Sequence, residues 1–289
     1  MDTRWIVKRT LKWAVEFASK FSGAAALYRN SDYYRNSFRI LTYHKITDSP
    51  QTTHDLTKKH FAEHCRVLAN EFRTSSLSEL VVKLRHGNKP EPYSVALTFD
   101  DGYAELGGFV AETLDKYSLT ATFFVVTGFI DNQVRSDKGP YVTWQDLKVL
   151  SQAGFSIGSH SVSHLSMKDL DSEKLNYELR HSFNRIQEEL GEAPVGFSYP
   201  YGTKRDFSDR TRQSTIEAGY PWAVTAIHGV NSIGVDAYSL KRINITCGDG
   251  PGTLRLIMNG CLDAWGVIDS LGYRFQRSNY KVTKPTMKP

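Results

Sequence analysis

Seven short apolar runs, separated by longer stretches with helical periodicity, restrict what this chain can fold into. The runs fall at about 38–44, 94–99, 121–126, 155–159, 195–199, 222–227 and 240–246. Each has strand length and is rich in β-branched, aromatic or other apolar residues. Helical patterns lie between them at about 58–86, 104–117, 144–153, 172–190, 208–218 and 252–265. Strands that alternate with helices pair in parallel, and seven or so such units predict an α/β barrel. Local signals agree. Thr143 is placed to cap the helix that follows it, Gly154 and Gly191 stop helices, and Leu175, Leu179, Phe183, Ile186 and Leu190 recur at helical spacing.

A chain of 289 residues can bury one large core, and 40% hydrophobic with 23% charged residues is a globular composition. Neither a repeat nor a linker divides it. The net charge of +5 is unevenly spread, with residues 1–30 carrying +4, residues 273–289 carrying +5, and the middle of the chain −4. A mildly acidic core argues against nucleic acid as a partner. Cys65, Cys247 and Cys261 form no close pair, which fits reduced thiols. No run approaches the roughly 20 apolar residues of a membrane span. Residues 3–28 read as a basic helix in which Trp5, Ile6, Trp13, Val15, Phe17 and Phe21 alternate with Arg4, Lys8, Arg9, Lys12 and Lys20. Such a helix either lies on an anionic membrane or packs outside the barrel. The expected organisation is an N-terminal basic helical extension over 1–37, a barrel domain over 38–272 and a basic tail over 273–289. With no evident export signal, the expected location is the cytoplasm, with peripheral contact at the inner membrane face through residues 3–28.

The unusual polar residues gather at strand ends. Asp100 and Asp101 follow the second run and His160 follows the fourth, with His164 four residues later. In a parallel barrel those ends converge on the face where catalytic groups collect. Two imidazoles four residues apart point the same way if the segment turns helically after the strand. Together with one carboxylate they make an N, N, O donor set with a coordination position left open, the pattern of a catalytic zinc-like site. The second carboxylate can then take a proton from a bound water. A backbone N–H on the tight Pro200-Tyr201-Gly202 turn can serve an oxyanion. Either polar motif alone is weak evidence, since Asp-Gly pairs favour turns and histidine pairs are common. Their joint occurrence at strand ends is the specific signal.

Thr98-Phe99-Asp100-Asp101-Gly102-Tyr103, His160-Ser161-Val162-Ser163-His164 and Tyr199-Pro200-Tyr201-Gly202 resemble the motifs of the polysaccharide deacetylases of NodB-homology type, carbohydrate esterase family 4. The segments 121–125 and 154–159 extend the likeness, which covers about 38–246 in order. The resemblance implies a distorted (β/α)7 barrel, with Asp100 as general base and Asp101, His160 and His164 binding a divalent metal, commonly zinc. It also implies that the backbone N–H of Tyr201 holds the oxyanion while its ring lines the groove. Tyr43-His44-Lys45-Ile46 is similar to a subgroup found with exopolysaccharide and lipopolysaccharide synthesis, and places His44 at the catalytic face.

Two positions depart from the pattern. The family's third motif usually begins with an arginine that orients the catalytic aspartate, and Ser198 stands there instead. Arg242, expected to close a late strand, is the candidate replacement. Many members also carry a Leu-x-His motif whose histidine protonates the leaving amine, and residues 240–246 contain no histidine. His44 and His228 are the candidates for that role. The implied activity is hydrolysis of acetyl groups, N-acetyl foremost, from a carbohydrate that could be lipid-linked. O-acetyl esterase activity, hydrolysis of another amide at the same metal site, and a non-catalytic carbohydrate-binding barrel are the alternatives.

Overall fold

The computed structural model describes residues 30–136, 138–263 and 266. The expected helix over 3–28 and the tail over 273–289 lie outside the described residues. Seven parallel strands form the framework: β1 (Ser37–Tyr43), β2 (Ser94–Phe99), β3 (Thr122–Val125), β4 (Ser156–Ser159), β5 (Phe197–Ser198), β6 (Ala223–Val224) and β7 (Ile243–Asn244). They lie in the order β7-β1-β2-β3-β4-β5-β6. Leu41 is flanked by Leu97 and Ile243, Phe123 by Phe99 and Ile157, and Phe197 by Ser159 and Ala223. A parallel bridge between Val224 and Leu240 brings the chain segment leading into β7 against β6, so the curled sheet returns on itself. The result is the distorted (β/α)7 arrangement.

The two faces of each strand have different tasks because side chains alternate. Leu41 and Tyr43 of β1 and Val95, Leu97 and Phe99 of β2 face the helices Lys58–Glu71, Phe109–Lys116, Trp144–Gln152 and Pro251–Met258, with which they form the larger core. Phe38, Ile40 and Ala96 point the other way, into the barrel, beside Phe124, Trp222, Val224 and Leu240. The helix Leu77–Arg85 closes the bottom of that interior with Leu77, Leu80 and Val81. Following the same inward face toward the strand ends, the side chains become polar: Thr42, Thr98 and Ser198 are all buried. Asp100 is the next inward position after Ala96 and Thr98. The barrel is thus greasy below and polar above, and the site stands at the polar end.

Most boundaries follow from local chemistry. Thr143 and Asp146 form a reciprocal capping box at the helix Trp144–Gln152, and Gly191 ends the helix Ser182–Leu190 in a left-handed conformation at φ 76°. Several expectations need correction. The 58–86 stretch is two helices, split by a two-residue strand, Arg73–Thr74, that pairs with the start of β2. The loop after β1 contains a short strand, Ile46–Thr47, paired with Leu56–Thr57. The 104–117 stretch opens with a 3-10 turn over Ala104–Gly107 before its helix begins at Phe109. Asn231–Ser232 pairs antiparallel with the beginning of β1, an element absent from the sequence reading. Arg242 precedes β7 and does not close a strand.

Candidate active site

Asp100 leaves the end of β2 pointing inward and is 3% exposed. The guanidinium of Arg242, itself 1% exposed, meets it in a two-pronged grip: Nη1 donates to Oδ1 at 2.8 Å and Nη2 to Oδ2 at 2.7 Å. Ser198 donates its hydroxyl to Oδ2 at 3.2 Å and accepts from Arg242 Nη2 at 2.9 Å. Arg242 is fixed in turn by Nε donating to the Thr225 carbonyl at 2.7 Å, by Thr98 at 3.3 Å and by the Phe124 ring below it. Burial pushes the Asp100 carboxyl up, and the positive charge of Arg242, with His160 behind it, outweighs burial and holds it well below the usual carboxylate range. Asp100 is therefore held as a carboxylate with both oxygens hydrogen-bonded.

The neighbouring carboxylate is turned elsewhere. Asp101 has φ 74° and Gly102 φ 78°, so the backbone reverses its sense directly after Asp100. Asp101 Oδ1 comes 3.4 Å from His164 Nε2 and 3.6 Å from His160 Nε2. Its pKa is also lowered, burial being opposed by the histidines around it. His160 Nδ1 bonds the Ser198 carbonyl at 2.7 Å, which makes Nδ1 the protonated nitrogen and leaves the Nε2 lone pair between Asp101 Oδ1 at 3.6 Å and Asp100 Oδ2 at 3.8 Å. One donor atom from each of Asp101, His160 and His164 lies within 4.8 Å of the others. Ligands about 2.1 Å from a tetrahedral ion stand about 3.4 Å apart, so the donor types and the spacing fit a divalent metal with a position left open.

The two imidazoles do not converge by a helical turn. Residues 160–164 form a non-helical loop in which Ser161 (φ 69°) and His164 (φ 55°) are left-handed. Tyr201 is also left-handed (φ 59°), 38% exposed, and sets its ring edge-on against His164 with centroids 4.7 Å apart. Gly202 beside it is required: a Cβ there would stand 2.5 Å from the Ala226 nitrogen. His44, at the end of β1, reaches the same mouth, lies tilted against His54 with centroids 4.9 Å apart, and has a buried Nδ1 with no hydrogen-bond partner among the described residues. Burial lowers its pKa against the pull of Asp101 and Asp100. His228 is turned away, with Nε2 on the Leu262 carbonyl at 3.0 Å.

Residues 87–223 match the sequence profile of the polysaccharide deacetylases. The Bacillus subtilis protein YxkH, named as a polysaccharide deacetylase, is 28% identical over 210 residues, 72% of this chain and 71% of its own. This chain carries a polysaccharide deacetylase domain over residues 87–223. The peptidoglycan-N-acetylglucosamine deacetylase of Bacillus cereus is 31% identical over 138 residues, 46% of this chain and 57% of its own. Among solved structures, the Streptococcus pyogenes deacetylase PplD, in complex with acetate, superposes with a TM-score of 0.69 at 24% identity, covering 77% of this chain and 98% of its own. At that identity the superposition speaks for the fold alone.

Relative to the family pattern, Arg242 reaches from the segment before β7 to the aspartate that an arginine at position 198 would otherwise orient, and Ser198 completes the contact. Sequence reading missed Glu178, Thr98 and Asp206. Asp206 is buried, accepts from the Thr203 N–H and the Ser166 hydroxyl, and its carbonyl accepts from the Met167 N–H. It ties the Tyr201 turn to the chain just after His164. An Asp three residues after Thr203 is a turn signal legible in the sequence, but its second partner is not.

Two measurements probe this geometry. Arg242→Ala removes one partner of a buried pair and should cost about 3–5 kcal/mol in urea unfolding; a loss under about 1 kcal/mol would contradict the grip described. Burial pushes the His164 imidazole down to about 4, whereas in the unfolded chain it titrates near 6.5. Between those values the unfolded chain holds the extra proton. The contribution of His164 to stability is therefore complete above about pH 6.5 and declines as pH falls toward 4. In the metal-free protein, an NMR titration should find this ring neutral at about pH 5.5, and a step near 6.5 would oppose the assignment.

Proposed function

We propose that this chain is a metal-dependent deacetylase that removes acetyl groups, N-acetyl foremost, from a carbohydrate destined for the cell surface or an extracellular polysaccharide. The observation that carries the reading is the divergence of two adjacent carboxylates. Asp100 is held by Arg242 and Ser198, while Asp101 is turned toward His160 and His164. Asp101, His160 and His164 would hold a divalent ion, Zn²⁺ in the first instance. When bound, such an ion lowers the pKa of a water and polarises an acyl oxygen.

The chain's own groups supply the rest. Asp100, ionised at neutral pH, accepts the proton of the attacking water as its oxygen bonds to the acyl carbon. Arg242 keeps that carboxylate aimed and gives it no freedom to join the metal ligands. The Tyr201 backbone N–H serves the oxyanion, and the exposed Tyr201 ring offers a face to a sugar. On collapse the C–N bond breaks and the proton held by Asp100 passes to the leaving nitrogen, directly or relayed through His44 at the same mouth, yielding acetate and a free amine. The name of the Bacillus cereus relative, an N-acetylglucosamine deacetylase, supports an acetylated amino sugar. The basic, aromatic stretch 3–28 supports a lipid-linked substrate met at the cytoplasmic face of the inner membrane.

O-deacetylation is the second reading, favoured by one observation. No histidine occupies 240–246 and His228 faces Leu262, and an ester needs less acid assistance at its leaving group than an amide does. Acetate release from acetylated amino-sugar oligomers and from O-acetylated glycans tests both. Wild type loaded with Zn²⁺ should release acetate. Asp100→Asn should lower turnover by at least about 100-fold, as expected for loss of a general base. Release that persists in Asp100→Asn would sink the mechanism, and release from esters alone would select the second reading.

A further inference from the structure

The helical segment 172–190 presents an inward stripe on which Leu175, Leu179, Ser182 and Ile186 are buried at helical intervals. Glu178 occupies the same stripe, where an apolar side chain would be ordinary, and is 4% exposed. A carboxyl group at a core position is costly unless its hydrogen bonds are made. All the bonds of this carboxyl go to one place. Oε2 accepts from the backbone N–H groups of Val162 and Ser163, both at 2.9 Å, and Oε1 accepts from the Ser163 hydroxyl. Those two residues lie between His160 and His164.

The loop they belong to needs such a brace. Ser161 and His164 both hold left-handed backbone angles, which non-glycine residues keep only where the surroundings over-determine them. Two successive N–H groups aimed at a single oxygen fix the loop from within the barrel wall. The same helical segment also secures the strand before it, since Ser159 donates to the Ser182 hydroxyl at 2.9 Å and Ser182 donates to the Glu178 carbonyl at 2.6 Å. Beyond His164, Asp206 holds Ser166 and Met167. His164 is thus gripped on both sides, and Glu178 supplies the grip on the side facing His160.

We infer that Glu178 is a positioning residue for the metal site, setting the separation of His164 from Asp101 through the loop 161–163 without touching the ion. The inference rests on the proposed reading that Asp101, His160 and His164 hold a metal. Removing the acceptor frees Val162 and Ser163, lets the left-handed pair relax, and spoils the three-donor geometry. The test is the Zn²⁺ affinity of the full chain, measured by competition with a chromophoric chelator, with circular dichroism as the check on folding. Glu178→Ala should bind about 10- to 100-fold more weakly, the range found when a group behind a metal ligand is lost. Glu178→Asp, one methylene shorter, keeps the charge and should show the same direction of loss, and it decides the matter where the alanine variant does not fold. Glu178→Gln retains an oxygen for both N–H groups and should stay close to wild type. Folded Glu178→Ala or Glu178→Asp with wild-type affinity overturns the inference while leaving the metal site intact. Failure of wild type itself to bind Zn²⁺ overturns the metal reading and this inference with it.

Discussion

The buried pair of Arg242 and Asp100 is the interaction on which the mouth of the barrel depends. A carboxylate and a guanidinium at 3% and 1% exposure are tolerable only because each prong of the fork is matched and the remaining donors reach Thr225, Thr98 and Ser198. That network joins the ends of β2, β5 and β6 to the segment entering β7. It lies across the region where the sheet returns on itself. The same contacts that hold the barrel together at this end hold one carboxylate in a single orientation.

Once Asp100 is fixed, the reversal of backbone sense at Asp101 and Gly102 has a purpose. Neighbouring residues on a strand point to opposite faces, which would send Asp101 away from the barrel mouth. A left-handed residue directly after the strand brings it back beside His160 and His164. The site therefore depends on several locally unfavourable backbone angles, at Asp101, Ser161, His164 and Tyr201, and the N–H groups of Ser161 and His164 are bonded to the Ser159 and Ser161 hydroxyls. Rigidity here comes from burial of polar groups with their partners made, with Glu178 and Asp206 as the clearest cases.

Much of this was legible in the chain. Apolar runs located the seven strands, and the polar residues just past them located the face where Asp100, Asp101, His160 and His164 gather. With serine at 198, the orienting guanidinium has to come from elsewhere in the chain, and the fold brings Arg242 to Asp100. What could not be read was anything set by contacts across the sequence. The partner of Arg73–Thr74 is β2, the acceptor for Val162 is sixteen residues away, and the pairing of Asn231–Ser232 with β1 spans the whole barrel. The convergence of the two imidazoles was anticipated through a helical turn, and the fold achieves it through a braced loop. Glu178 left one trace in the sequence, an acid on an otherwise inward stripe, which periodicity alone would assign to tolerance at a helix surface.

Metal stoichiometry in two aspartate variants tests the central claim, that adjacent carboxylates have separate tasks, most directly. Purified wild type, Asp100→Asn and Asp101→Ala would be loaded with Zn²⁺, desalted and analysed for bound metal. The account predicts one tightly held ion per chain in wild type and in Asp100→Asn, and none retained in Asp101→Ala. Equal loss in both variants, or retention in Asp101→Ala, would contradict it.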